Sequence, residues 1–269
     1  MKQAKVSNSN LLTLRCKIFR YVDFFETYMR NFIEKELRAF YGNEWLQKGV
    51  PEGVRKYWVA HKEYWVAQGV PPEPDINYAD LRDYGEIICD PANWNNIFRI
   101  HFIGKNRSNI KTYLRGLKIR RDLAYHASCN INNHDVELVE SFIKELLTSE
   151  EAKKEFDKVI NGELLTNTEI KIMGPLIFQL NGVSSAEELA KLTDLPIHIV
   201  KMILRESFIR MGLMSVATGA EISSGIIAGA PILEEESRFK PYEEIYFLTL
   251  PIKEVLKRFP ELKNISEKL

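Results

Sequence analysis

The sequence predicts a mainly α protein, with an all-helical N-terminal domain over residues 1–148 and a smaller α+β domain over 149–269. Three observations lead there. Apolar residues recur at three- and four-residue spacing through most of the first 148 positions, the period of helices with one buried face. Proline and glycine stand where such helices would begin and stop. Further along, short helical segments give way to a Gly/Ser/Ala-rich stretch and then to an aromatic, β-branched run that reads as a strand. With 269 residues, 45% apolar and 28% charged, the chain has the composition of a folded protein long enough for two domains.

Leu11 to Phe40 carries Leu14, Ile18, Tyr21, Phe25, Tyr28, Phe32 and Leu37 at helical spacing and reads as one long amphipathic helix ended by Gly42. A second helix is expected from Pro51 to Gln68, closed by Gly69, Pro71 and Pro72. PPEPD is a loop, and INYADLRDYGEIICD predicts a third helix interrupted at Pro91. NWNNIFRIHF and SNIKTYLRGLKIRRDLAYHA follow, with Ser108 as the expected N-cap of the latter. VELVESFIKELL closes the domain near residue 148, and the charged segment 149–167 is expected as a linker that can still be helical.

TEIKIMGPLIFQL, SSAEELAKLTDL and PIHIVKMILRESFIRMGLM then predict three helices, with Ser184 or Ser185 capping the second and Pro196 opening the third. TGAEISSGIIAGAP and EEIYFLTLP fit a strand, wing loop and strand, so the second domain is expected to be winged-helix-like, with PIKEVLKRF as a last helix. Lys201, Arg205 and Arg210 on the third helix are candidates for phosphate or groove contact. Glu221 and Glu234 to Glu236 in the wing would repel a phosphate backbone, so a protein partner is as well supported as DNA.

Lys plus Arg equal Asp plus Glu at 37 each, so the total charge points to no polyanion. The local distribution does, because Arg99, Lys105, Arg107, Lys111, Arg115, Lys118, Arg120 and Arg121 occur with no acid between them. Cys16, Cys89 and Cys129 are too scattered for a disulfide framework or a cysteine zinc site, which suits a reducing interior. No signal-peptide pattern and no run of about 18 apolar residues is present, so a cytoplasmic protein away from membranes is expected. Paired metal-ligand spacings and nucleotide-binding glycine loops are missing too, and neither a metal nor a cofactor is expected. Trp45, Tyr57, Trp58, Tyr64 and Trp65 are expected in the core, packed against the first helix, rather than as base-stacking platforms.

KIRRDLAYHA, Lys118 to Ala127, concentrates the chemistry. In a continuous helix Asp122 and His126 share a face, while Arg121 lies about 140° around from His126. A helix end, a distortion or a second copy of the segment is needed to aim Arg121 and His126 at one atom. An imidazole can move a proton near neutral pH and a guanidinium can neutralise a phosphoryl oxygen, a pairing suited to cleavage of RNA by its own 2′-OH.

Arg121, Asp122, Leu123, Ala124, Tyr125, His126 resembles the R-x-x-x-x-H motif of the HEPN superfamily. YGNEW (Tyr41 to Trp45), VPEGVR (Val50 to Arg55), NYADLRDYGEII (Asn77 to Ile88) and NW (Asn93, Trp94) resemble the Swt-type HEPN domain of an RNA-quality-control endonuclease, over most of residues 11–148. The resemblance implies a helical bundle that forms a homodimer with two motif copies lining one cleft, and a metal-independent endoribonuclease leaving 2′,3′-cyclic phosphate ends. Arg121 would stabilise phosphoryl charge, His126 would act as general acid or base and Asp122 would orient His126, with Lys105, Arg107, Lys111, Arg115, Lys118 and Arg120 gripping RNA. A toxin or defence role follows from family association alone. The rival expectation is a non-catalytic nucleic-acid-binding or regulatory protein, and a third is a dimeric scaffold in which Arg121 and His126 only stabilise the interface.

Overall fold

The computed structural model describes residues 8–125, 130–218 and 244–265, which are mainly helical with one small sheet. The chain divides into two compact units, Lys17–Asp157 and a second that includes the described residues before 17 and from Lys158 on.

The first unit is built on α1, Asn8–Tyr41. Ile18, Phe25, Met29, Ile33 and Leu37 are fully buried at spacings of seven and four, so one stripe of α1 is core. Gly42 ends the helix in the left-handed region, φ +59°, where a residue without Cβ is not strained. The short α2 is Trp45–Gly49 and α3 is Glu52–Ala67, entered from Pro51 and left through Gly69 at φ +86°. The third predicted helix divides into a 3-10 turn, Asp75–Tyr78, and α4, Leu81–Ile88, because Asp80 caps α4 by accepting from the Arg82 and Asp83 amides. α5 is Pro91–Asn96, capped by Asp90.

α6 is Arg107–Tyr125 and α7 is Asn133–Leu146. The start of α6 is capped by Asn106, not Ser108: the Asn106 and Asn109 side chains each accept from the other's amide, at 2.9 and 3.0 Å. α6 packs against α4 on one side and α7 on the other, burying Ile110, Leu114 and Leu117. Gly116 permits the second contact, since a Cβ there would lie 2.4 Å from the Phe142 ring. Each such apolar side chain taken from water stabilises the fold by about 1.5–3 kcal/mol.

Residues of three of the segments that carry the resemblance, Tyr41, Asp83, Ile87 and Asn93, take part in buried hydrogen bonds. Asn93 donates to the carbonyls of Gly49 (2.6 Å) and Ile87 (2.9 Å) and accepts from the Tyr41 hydroxyl (3.0 Å). Trp58, 1% exposed, donates its indole N–H to Asp83 at 2.9 Å. These residues fix α2, α4 and α5 around the end of α1, so their role in this unit is structural.

The expectation that all five aromatics around α3 are core is corrected. Trp45 and Trp58 are buried, but Tyr57, Tyr64 and Trp65 are 48%, 57% and 41% exposed. Their spacing places them on a helix face, but no described element covers that face.

α8, Glu150–Ile160, occupies the segment expected as a linker, and the division between the units falls within it. The second unit continues with α9, Asn167–Phe178, then β1, Val183–Ser185, α10, Ala186–Thr193, and α11, Ile197–Met202, which runs on as a π-helical turn, Ile203–Phe208. Ser185 caps α10 by accepting from the Glu188 amide at 3.2 Å. β2, Met214–Thr218, and β3, Glu244–Leu248, complete an antiparallel sheet of order β1-β3-β2, with Val183 opposite Phe247 and Val216 opposite Tyr246. α12 is Ile252–Arg258. The residues expected as the wing, together with Glu221 and Glu234 to Glu236, lie outside the described residues.

Candidate active site

The last turns of α6 carry Lys118, Arg121, Asp122 and Tyr125, while His126 lies outside the described residues. Arg121 is turned towards α1. Its Nη1 donates to Glu26 at 2.7 Å, and its Nε and Nη2 reach one Asp122 oxygen at 3.3 Å each. Asp122 also accepts from Lys118 at 2.6 Å, a pair one helical turn apart. Beside it the Tyr125 ring packs on Phe19, centroids 5.7 Å apart.

Glu26 was not anticipated as a site residue. It is 95 positions from Arg121. A signal was nonetheless present, because Glu26 stands on the stripe of Val22, Met29 and Ile33, all buried, and a carboxylate on a buried stripe needs a cation.

Charge reinforces this arrangement. Burial pushes the Glu26 carboxyl above its ordinary range, and the Arg121 charge opposes that shift without cancelling it. Burial alone would lower the Arg121 guanidinium, but the charge and hydrogen bond of Glu26 outweigh it and hold the group above its usual value. For Asp122, burial is outweighed by the hydrogen bond from Lys118 and the charge of Arg121, and its carboxyl lies below the usual range. Asp122 is thus ionised and turned to Lys118 and Arg121.

The basic candidates do not form one face. Arg107, Lys111, Arg115 and Lys118 share a stripe of α6 by their four- and three-residue spacing. Arg120 lies on the opposite side, donating to the Gly116 carbonyl, 3.6 Å from Asp135 and 5.6 Å over the Phe142 ring. Lys105 precedes the helix and pairs with Glu145 at 3.0 Å. On the stripe itself Arg107 contacts the Cys89 carbonyl and Lys111 lies 3.6 Å from Glu86, while Arg115 is exposed and has no ion pair among the described residues.

One cleft runs along this stripe and a second meets it at Lys118. The first, about 390 Å³, lies between α4 and α6 and is lined by Arg82, Gly85, Glu86, Lys111, Arg115 and Lys118. The other, about 500 Å³, shares Arg82, Glu86 and Lys118 with it and continues past Asp80 and Asp83 to Gly53, Val54 and Tyr57 on α3. Lys118 joins these clefts to Asp122 and so to Arg121.

In the second unit the three basic candidates are each met by an acid. Lys201 pairs with Glu187 at 2.9 Å, Arg210 with Glu206 at 3.0 Å, and Arg205 with Glu244 while also donating to the Tyr246 hydroxyl at 3.0 Å. Among the described residues no group of three His, Cys, Asp or Glu side chains is placed to hold a metal ion. No helix among them is long and apolar enough to cross a membrane. No protein-family model, curated protein or solved structure matches the chain.

Proposed function

We propose that this chain is a metal-independent endoribonuclease of HEPN type. The observation that supports this reading best is the holding of Arg121: one nitrogen anchored by the Glu26 carboxylate, the other two in longer contact with the exposed Asp122 carboxylate, at the end of a basic stripe. A phosphate arriving along the stripe exchanges with Asp122, whose contacts with Arg121 are long and solvent-screened, while Glu26 keeps the guanidinium aimed.

In this reading the RNA 2′-oxygen attacks the adjacent phosphorus, the new O–P bond forms and the bond to the 5′-oxygen breaks. The products are a 2′,3′-cyclic phosphate and a 5′-hydroxyl. Arg121 neutralises the charge gathering on the non-bridging oxygens, and His126 takes the 2′-OH proton or delivers one to the leaving oxygen. A homodimer that brings two copies of the motif to one cleft supplies both proton-transfer partners. The second unit is proposed as a winged-helix-like module on its order of three helices and a β1-β3-β2 sheet. Since Lys201, Arg205 and Arg210 are already neutralised, a protein partner suits it better than a DNA backbone.

The competing reading, a nucleic-acid-binding protein without catalysis, is favoured by the fact that Arg121 already has two carboxylate partners. Cleavage of end-labelled single-stranded RNA in EDTA separates the two. The ribonuclease reading expects cyclic-phosphate ends from the parent and loss of cutting in Arg121→Ala and His126→Ala with binding retained. A parent that binds RNA and leaves it intact establishes the competitor.

A further inference from the structure

Tyr57, His61 and Trp65 stand one above another on α3 at four-residue spacing. The Tyr57 and His61 rings are stacked, with centroids 5.0 Å apart and planes 25° apart, and the Trp65 ring meets His61 edge-on at 6.4 Å. Tyr64 flanks Trp65 at 5.4 Å. Exposed aromatic area of this size is costly to leave in water, and such patches mark binding surfaces.

The surroundings narrow what binds. Tyr57 is both the lowest rung and part of the wall of the cleft that holds Arg82 and Lys118, and the adjoining cleft adds Lys111 and Arg115. The acids there, Asp80, Asp83 and Glu86, stand at the end nearest Tyr57, and Asp80 caps α4, Asp83 accepts from Trp58 and Glu86 faces Lys111, while Arg82, Lys111, Arg115 and Lys118 line the α4–α6 cleft with Glu86 as its one acid. Glu52 and Glu63 project from the other side of α3, into a separate cleft with Lys56. A row of rings that continues a cationic groove is the arrangement by which unpaired nucleic acid is held, bases on the rings and phosphates on the cations.

We propose that the exposed rings of Tyr57 and Trp65 on α3, with the half-buried His61 ring between them, form a base-stacking subsite that selects unpaired RNA and feeds it along the α4–α6 groove towards Arg121. The proposal rests on the ribonuclease reading for its destination, but not for the binding itself. Paired bases bury the faces that the rungs need, so a duplex gains only the phosphate contacts.

Trp65 is the one exposed tryptophan of the four, since Trp45, Trp58 and Trp94 are buried, so its fluorescence reports directly on the subsite. The test titrates the full chain with a 2′-O-methyl oligonucleotide of about 12 nucleotides, which cannot be cleaved, and with the same strand annealed to its complement. The single strand is expected to quench Trp65 and the duplex to leave it bright. Tyr57→Ala and Trp65→Ala, both at exposed positions, are expected to weaken single-strand binding about fivefold to a hundredfold each, with helicity unchanged. Lys111→Gln with Arg115→Gln is expected to flatten the salt dependence while single-strand preference remains.

Equal affinity for strand and duplex with no loss in either alanine variant overturns the proposal. So does a shift from dimer to monomer in Trp65→Ala with RNA binding unchanged, which makes the face a subunit contact instead. If the parent cuts RNA through Arg121 but Trp65 is never quenched, the ribonuclease reading survives and the subsite falls. Quenching without any cutting gives the reverse.

Discussion

Arg121 and Glu26 are joined by a 2.7 Å hydrogen-bonded ion pair between α6 and α1, with both side chains 19% exposed. Removing Arg121 leaves the Glu26 carboxylate without its hydrogen-bonded cation in a largely dry place, while removing Glu26 leaves Arg121 only its longer contacts with Asp122. Arg121→Ala is expected to destabilise the first unit by ~3 kcal/mol, and Glu26→Ala by less, since Asp122 still faces the guanidinium. Glu26→Gln with Arg121→Met removes both charges and is expected to recover most of that stability without RNA cleavage. Urea unfolding beside a cleavage assay checks this. Recovery of activity in the double variant would remove Arg121 from the chemistry.

The pair also makes a pH signature. Glu26 has a folded pKa above its unfolded value near 4.5, so within the window from that value upward the folded state binds more protons than the unfolded one. Its contribution to stability therefore falls as pH rises through that window. Asp122 is shifted down, and its contribution is present above the ordinary aspartate value of 3.8 and lost as pH falls below it. Denaturation at a series of pH values is expected to show the first slope in the parent and its disappearance in Glu26→Gln, with the Asp122 slope intact.

Gly116→Ala tests the α6–α7 contact. Alanine is the better helix former by about 1 kcal/mol, yet its Cβ would meet the Phe142 ring at 2.4 Å. Net destabilisation of about 1–3 kcal/mol is expected. Adding Phe142→Leu should relieve it, and thermal melts of the three variants give the answer.

Trp58→Phe keeps the ring in the core but withdraws the N–H that Asp83 accepts at 2.9 Å. Asp83 is 5% exposed, and burial already raises its carboxyl against the Trp58 hydrogen bond. A loss of about 1–3 kcal/mol is expected at neutral pH, shrinking under acid as Asp83 takes up a proton. A loss that does not vary with pH would mean that the indole matters for its volume alone.

The helix ends were legible where the chemistry is local. Gly42, Pro51 and Gly69 mark boundaries in the sequence and occupy them in the structure, because φ preference belongs to one residue at a time. β1 was not, since its Val183, Ser184 and Ser185 overlap a capping signal and become a strand only by pairing with β3 sixty or more positions on. The same limit governs the site. Spacing alone places Arg107, Lys111, Arg115 and Lys118 on one stripe and sets Arg120 apart, and it shows that Asp122 can reach Lys118, but the acids that meet Lys111 and Arg120, Glu86 and Asp135, come from other helices. Periodicity identified a face containing Tyr57, Tyr64 and Trp65 without telling whether another element would cover it. Glu26 shows the remaining gap, an acid whose use depends on a residue in a distant helix.

Asn93 bonds to Ile87 six positions away, but to Gly49 and Tyr41 at separations of 44 and 52. The short-range bond forms with the α4–α5 turn, whereas the long-range ones require a large loop to close first. The junction of α2 with α5 is therefore expected to form late on the route to the native chain. Asn93→Ala is expected to accelerate unfolding more than it slows folding, so this amide contributes to the lifetime of the folded unit more than to the speed of its assembly.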